Sequence, residues 1–221
     1  MAEAVTICIP TLFDSRYIIE LCLKSILKYT TYPDYKIIVC DAGVDEETND
    51  YLSQLDFIKL IKATDWERPK DDLARAVDTE YYIIMHDDIR IFKYGWVQRR
   101  MDLMKKDPRN AIVGTAPNDK RFFPLGLLVK TDVASELGLV WGKQVEQGYD
   151  TGGLAYEKFA AQDKYKFVKY KFGTDIFHFA EMTWPKYKTE ENYDKNKLGK
   201  LLTKRERNIL KIREILENDA Y

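Results

Sequence analysis

Two adjacent carboxylates, Asp87 and Asp88, follow His86 directly at the end of the apolar run Tyr81-Tyr82-Ile83-Ile84-Met85. Like charges on a short turn repel, and a divalent ion is a common way to compensate them. Oxygen donors favour Mg2+ or Mn2+, which keep open positions for water and for phosphate oxygens. The plain alternative is a solvated acidic turn, but the apolar run before it sets the pair at the rim of a core. Two more polar signals stand where other apolar runs end: Pro10-Thr11 after residues 5–10, and Asp41 after residues 36–40. Each alone is ordinary turn chemistry. Together they mark one edge of a sheet, the crevice in which open α/β sheets bind ligands.

The elements that must position these residues can be read from periodicity. Residues 5–10 and 36–40 are nearly continuous apolar runs, as expected of parallel strands covered on both faces. Between them Asp14 or Ser15 can cap a helix whose apolar positions Ile18, Ile19, Leu21, Cys22, Ile26 and Leu27 recur at helical spacing. Asp45, Glu46 and Glu47 open a second helix, where carboxylates complement the positive end of the dipole. Residues 57–61 are expected as a strand, 71–78 as a helix, 81–85 as the fourth strand and 96–106 as a helix stopped by Asp107-Pro108. This alternation predicts a parallel α/β sheet with right-handed crossovers. Further along, residues 111–115 and 125–129 read as strands, 133–137 and 154–162 as helices, and 166–172 as a half-exposed strand in which Lys alternates with apolar residues. A dinucleotide fold fails at the first strand, where Ile9-Pro10-Thr11-Leu12-Phe13-Asp14 offers no glycine for close approach to a pyrophosphate, and a P-loop is excluded for the same reason.

These segments resemble the nucleotide-binding half of the GT-A glycosyltransferases, most closely the inverting family-2 type. The likeness is carried by Val5-Thr6-Ile7-Cys8-Ile9-Pro10-Thr11, by Ile37-Ile38-Val39-Cys40-Asp41 and by Glu80 through Asp88. It extends to small glycosyltransferase domains of bacterial polysaccharide clusters and of large algal viruses. The resemblance implies an α/β, Rossmann-like three-layer sandwich with a central, mostly parallel mixed sheet. It implies that Pro10, Thr11 and Asp41 hold uridine and that a D-x-D motif holds Mn2+ (or Mg2+) on the diphosphate of a UDP-sugar. The first Asp of that motif is His86 here, so Asp88 becomes the direct metal ligand by position, with Asp87 or a water supporting it; His86 can face ribose or the metal, or only pack. Gly148-Tyr149-Asp150-Thr151-Gly152-Gly153 resembles the family's later acidic motif, which makes Asp150 the general base against a turn or cap role. Phe177-His178-Phe179 with Trp184 resembles the C-terminal histidine segment that completes metal binding, against a purely packed histidine. Asp72 and Arg75 fall where the family touches base or phosphate, though one of them can be a solvated helix face, and Lys120 and Arg121 are weaker phosphate candidates. The implied reaction is metal-dependent transfer of a hexosyl or deoxyhexosyl group to a glycan or other hydroxyl acceptor, by single displacement with inversion. Competing readings are a nucleotidyltransferase, which lacks its usual glycine-rich basic loop here, a metal hydrolase built on His86-Asp87, and a non-catalytic nucleotide- or glycan-binding module.

Composition sets outer bounds. The 221 residues are 45% hydrophobic and 32% charged, which excludes disordered and low-complexity classes. A net charge of −1 gives no electrostatic case for nucleic acid. Cys8, Cys22 and Cys40 sit in apolar segments without a C-x-x-C pair and read as buried thiols of a reducing, cytoplasmic compartment. The chain shows no basic and apolar leader and no run long enough to span a bilayer. One catalytic domain is expected over residues 1–221: a nucleotide-binding half (1–95), an acceptor half (96–185) and a helical extension (186–221). In the extension Leu198, Leu201, Leu202, Ile209, Ile212 and Leu216 share a helical face among Lys and Arg. That face can pack on the domain or a partner; peripheral contact with an anionic membrane is the sharper alternative.

Overall fold

A computed structural model describes residues 3–13, 16–115, 120–142, 151–171, 173–179 and 195–218. In chain order the elements are β1 (Val5–Phe13), α1 (Arg16–Tyr29), β2 (Tyr35–Val44), α2 (Glu46–Ser53), β3 (Ile58–Lys62), α3 (Pro69–Ala76), β4 (Tyr81–Met85), β5 (Ile89–Ile91), α4 (Trp96–Met104), β6 (Asn110–Gly114), β7 (Leu125–Lys130), α5 (Thr131–Glu136), α6 (Gly153–Ala160), β8 (Lys166–Lys169), β9 (Ile176–His178) and α7 (Lys195–Glu217). Seven strands form one sheet in the order β3-β2-β1-β4-β7-β6-β8. Only β7 runs against its neighbours β4 and β6. β5 and β9 form a separate antiparallel ribbon.

Strand parity explains the layers. Val5, Ile7 and Ile9 of β1, Ile37 and Val39 of β2, and Tyr81, Ile83 and Met85 of β4 face α1, α2 and α4. Cys8, Ile38, Cys40, Tyr82 and Ile84, one residue out of phase, face α3, α5 and α6. A sheet apolar on both faces has to be covered on both, and the result is the three-layer, mostly parallel mixed α/β sheet that the sequence implied. All three cysteines are buried and free of disulfides, Cys8 and Cys40 in the sheet and Cys22 on α1.

Several local expectations are corrected. β1 does not stop at Pro10-Thr11, nor β2 at Cys40, because the two strands keep pairing past the point where β1 leaves β4. Thr11 stands opposite Asp41 and Phe13 opposite Val44 across a bulge. α3 begins earlier, at Pro69, where proline's missing N–H costs nothing. Leu27 lies on the solvent side of α1. β8 ends at Lys169; it is half-exposed as expected, with Lys166 and Lys169 in solvent, but its two partly buried residues do not share a face: Phe167 packs into one core layer and Val168 into the other. The ribbon strands β5 and β9, three residues each, were not foreseen. The capping pair Asp14 and Ser15, and Trp184, lie outside the described residues.

α7 seats Ile212 against Ile18 and Leu21 of α1 and against Phe179, with Ile209 and Leu216 alongside. Arg213 donates to the Tyr17 hydroxyl at 2.8 Å and Asn208 to the Phe179 carbonyl at 3.1 Å. That part of the apolar stripe is thus taken up by the chain itself, while Leu202 and Leu210 are exposed. Among the described residues no helix is long and apolar enough to cross a membrane.

Candidate active site

β4 is buried along its whole length and delivers His86-Asp87-Asp88 to the edge where β1 and β2 also end. β5 begins one residue later, so the turn is pinned by strands on both sides. The two carboxylates part company. Asp87 turns toward β1, where the Thr11 hydroxyl donates to its Oδ2 at 2.9 Å. Burial and the neighbouring Asp88 charge raise its carboxyl above the usual range, with Thr11 opposing. Asp88 turns the other way, toward β9. Burial alone would raise it too, but the His178 ring beside it outweighs that and holds its carboxyl low.

His178 arrives through the ribbon. It stands opposite Ile89, one residue past Asp88, and the Phe179 N–H donates to the Asp88 carbonyl at 2.9 Å. This register puts His178 Nε2 3.0 Å from Asp88 Oδ1, while His86 Nδ1 lies 3.8 Å from the same oxygen. Burial, then the Lys70 charge and the facing His178 push the His86 imidazole below its ordinary value, toward the neutral form that metals bind. Asp88 Oδ1 and His178 Nε2 lie 3.0 Å apart but not in hydrogen-bond geometry, so both are buried without a hydrogen bond, as is His86 Nε2. Such atoms are costly to leave unsatisfied. The three side chains can each aim one ligand atom to within 4.8 Å of the others, so the donor set fits a divalent cation.

What holds β9 in register is a buried charge network. Asp175 immediately precedes β9; the Phe92 N–H donates to its carbonyl at 3.1 Å. Its carboxylate accepts from both terminal nitrogens of Arg100 (3.0 and 3.1 Å), from Arg99 (3.2 Å) and from the Tyr170 hydroxyl (2.6 Å). Burial alone would raise Asp175; the Arg100 charge outweighs it and holds the carboxyl low. Arg100 is itself 2% exposed, stacks 4.3 Å over Tyr170 and donates to the carbonyls of Gly126 and Trp96. Gly126 is required there: at φ +79° any Cβ would meet Ile176 of β9 at 2.6 Å. Local pattern flags one partner only. Arg100 interrupts the apolar face Trp96, Val97, Met101 and Met104, and a charge at a core position demands a buried counter-charge.

The remaining sequence candidates occupy varied places. Pro10 and Thr11 are buried, opposite Cys40 and Asp41. Asp41 Oδ1 accepts from the Gly43 and Val44 N–H groups at 2.8 and 2.9 Å, turning the β2 end back on itself. Asp72 spends its carboxylate on Thr64 (N–H 2.8 Å, hydroxyl 2.9 Å) and on Arg75, fastening α3 to the segment after β3. The Arg75 guanidinium is otherwise exposed. Lys120 is exposed, and Arg121 lies 4.6 Å over the Phe123 ring. Asp150 lies outside the described residues, but both flanks of its segment are fixed. Asp71, which sequence reasoning passed over, accepts at Oδ1 from the Trp141 and Gly142 N–H groups at 2.7 and 3.1 Å. Gly152 donates to the Trp141 carbonyl at 3.0 Å and accepts from Phe122 at 3.2 Å. With φ +77° and a Cβ position 2.2 Å from the Phe122 carbonyl oxygen, only glycine fits. The ends of residues 142–152 are therefore clasped together and tied to α3.

Comparison with known proteins places this geometry in context. Residues 6–163 match the family described as Glycosyl transferase family 2. No curated protein matches the sequence. Among solved structures, the mannosyltransferase PcManGT from Pyrobaculum calidifontis, in complex with GDP-Man and Mn2+, superposes with TM-score 0.65 at 15% identity, over 85% of this chain and 60% of its own. S. aureus TarS superposes with TM-score 0.57 at 11% identity, over 91% of this chain and 42% of its own. TarS 1–349 in complex with UDP gives 0.57 at 12% identity, over 76% and 58%. The chain thus spans between about two fifths and three fifths of the length of these structures.

Proposed function

The chain belongs to glycosyl transferase family 2, and on that premise we propose that it moves a hexosyl or deoxyhexosyl group from a UDP-sugar to a hydroxyl of a glycan or glycoconjugate, in the cytoplasm, by one inverting displacement. The observation that carries this reading is the convergence of Asp88, His178 and His86, which can each aim one ligand atom to within 4.8 Å of the others, at the edge where β1, β2 and β4 end. The GDP-Man and Mn2+ of PcManGT and the UDP of TarS support a nucleotide-linked donor.

Under this proposal Pro10, Thr11 and Asp41 hold the nucleoside, with Asp72 and Arg75 on its base and phosphate side. Asp88 and His178 hold Mn2+ (or Mg2+), and Asp87, anchored by Thr11, and His86 complete the diphosphate pocket. When bound, the cation supplies Lewis-acid stabilisation for the leaving diphosphate. Asp150 takes the proton of the acceptor hydroxyl while the acceptor oxygen bonds to the anomeric carbon and the bond from that carbon to the diphosphate oxygen breaks on the opposite face, giving inversion. A positioned base contributes roughly 10²–10⁴-fold. Residues 1–221 act as one catalytic domain, with 1–95 binding the nucleotide, 96–185 facing the acceptor and 186–221 as an extension whose helix α7 braces α1.

The test is a thermal-unfolding titration paired with a turnover screen of nucleotide sugars. UDP with Mn2+ is expected to raise Tm more than either alone, and slow hydrolysis of one UDP-sugar to identify the donor. Asp150→Asn should lose transfer by roughly 10²–10⁴-fold yet keep the Tm shift. No shift at saturating UDP and Mn2+ overturns the donor reading; equal loss of shift and transfer in Asp150→Asn removes that residue from the base role.

A further inference from the structure

We infer that the cation site selects by nitrogen: His86 and His178 together make it bind first-row transition ions in preference to Mg2+ and Ca2+, and do so before any nucleotide arrives. The inference rests on the reading above that Asp88 and His178 hold a divalent cation. It goes further in making His86 a ligand and in fixing the class of ion.

Three observations carry it. First, the acidic turn offers one carboxylate, not two. Asp87 Oδ2 is held by Thr11 on the β1 side, which leaves Asp88 Oδ1 facing the histidines. A hard cation bound chiefly by charge would find little of it here until a diphosphate came with it. Second, the other two donors are imidazoles. Nε2 of His178 and Nδ1 of His86 lie 3.0 and 3.8 Å from the same carboxylate oxygen, separations that two ligands of one ion show when each bond is about 2.1 Å. Third, each ring carries a buried nitrogen that no hydrogen bond satisfies, Nε2 of His178 and Nε2 of His86, the latter being the other ring nitrogen from the Nδ1 that lies 3.8 Å from Asp88. The two rings meet edge to face, crossing at 81° with centroids 5.6 Å apart, which brings both imidazoles to the same carboxylate.

The chemistry then follows from donor type. Mg2+ dehydrates reluctantly and takes oxygen ligands, as does Ca2+. Imidazole suits Zn2+, Co2+ and Fe2+, and affinity for such sites rises from Mn2+ toward the later ions. One carboxylate with two imidazoles therefore ranks Co2+ and Zn2+ above Mn2+, and all three above Mg2+.

The experiment uses the full chain without nucleotide. Metal retained after equilibrium dialysis against Zn2+, Co2+, Mn2+ or Mg2+ is measured, and pulsed EPR of the Mn2+-loaded chain counts coupled imidazole nitrogens. Two nitrogens are expected in the wild type and one in His86→Asp, whose gap between Mn2+ and Mg2+ should narrow. His86→Gln, which keeps size and neutrality, should weaken Co2+ and Mn2+ binding by roughly 10–100-fold or more, the scale on which even outer-shell partners count. It serves equally if the aspartate variant does not fold. A single nitrogen in the wild type, or equal retention of Mg2+ and Mn2+, overturns the inference. Two nitrogens with no joint effect of UDP and Mn2+ on Tm would sink the donor reading and leave this one standing. Joint protection with one nitrogen would do the reverse.

Discussion

The two carboxylates of the acidic turn are served by unlike supports. Asp87 leans on β1, a nine-residue strand in the middle of a seven-stranded sheet, and its partner Thr11 belongs to that strand. Asp88 leans on β9, three residues long and paired only with an equally short β5. A strand buried on both faces is positioned by many apolar contacts, so no single one is decisive. A two-stranded ribbon has marginal stability of its own and depends on whatever fastens it from outside. Here that is Asp175 with Arg100, a specific charge network in place of a broad apolar surface.

The contrast can be broken experimentally. Asp175→Ala leaves Arg100 as an uncompensated buried charge and should cost about 3–5 kcal/mol, read by urea unfolding, and should weaken Mn2+ retention because His178 loses its register. Unchanged Mn2+ retention would show that the ribbon holds itself. The same contribution carries a pH signature. Asp175 is held below its unfolded value, so its stabilisation is complete above about pH 4 and is lost as pH falls through the lower folded value. The stability gap between wild type and Asp175→Ala should therefore shrink in acid. On the sheet side, Thr11→Val removes one hydrogen bond from a buried carboxylate and should cost about 1–3 kcal/mol, with Mn2+ retention nearly intact. Loss of retention as large as in Asp175→Ala would erase the distinction. Smallest is Asp45→Ala, far from either support: Asp45 caps α2 by accepting from the Thr48 N–H at 3.0 Å, and its loss should lower stability by about 1 kcal/mol without touching metal binding.

Legibility in the sequence followed the same division. The fourth strand was read to the residue, and α1, α2 and α4 within a few residues, since each carries its own periodicity or cap. Thr11, Asp41 and the turn after β4 were visible as polar residues closing apolar runs, although β1 and β2 run on two and three residues past theirs. β5 and β9 were not, because three residues hold no period to detect. Asp72 stood out by its place in the chain, but its bonds to Thr64 and Arg75, which fasten α3, had no local sign. Its neighbour Asp71, which ties α3 to Trp141 and Gly142, gave no local sign, since its partners lie some seventy residues away.

The amino-acid order by itself determined the strand–helix alternation, the two-faced apolar sheet and the cluster His86-Asp87-Asp88 at its edge, all of which are short-range patterns of side-chain type. Only the tertiary structure decided that Asp87 turns to Thr11 and Asp88 to His178, that Asp175 locks onto Arg100, and that the ends of residues 142–152 are clasped to α3. Those pairings join residues far apart in the chain, and their choice depends on which groups are buried together once the layers close.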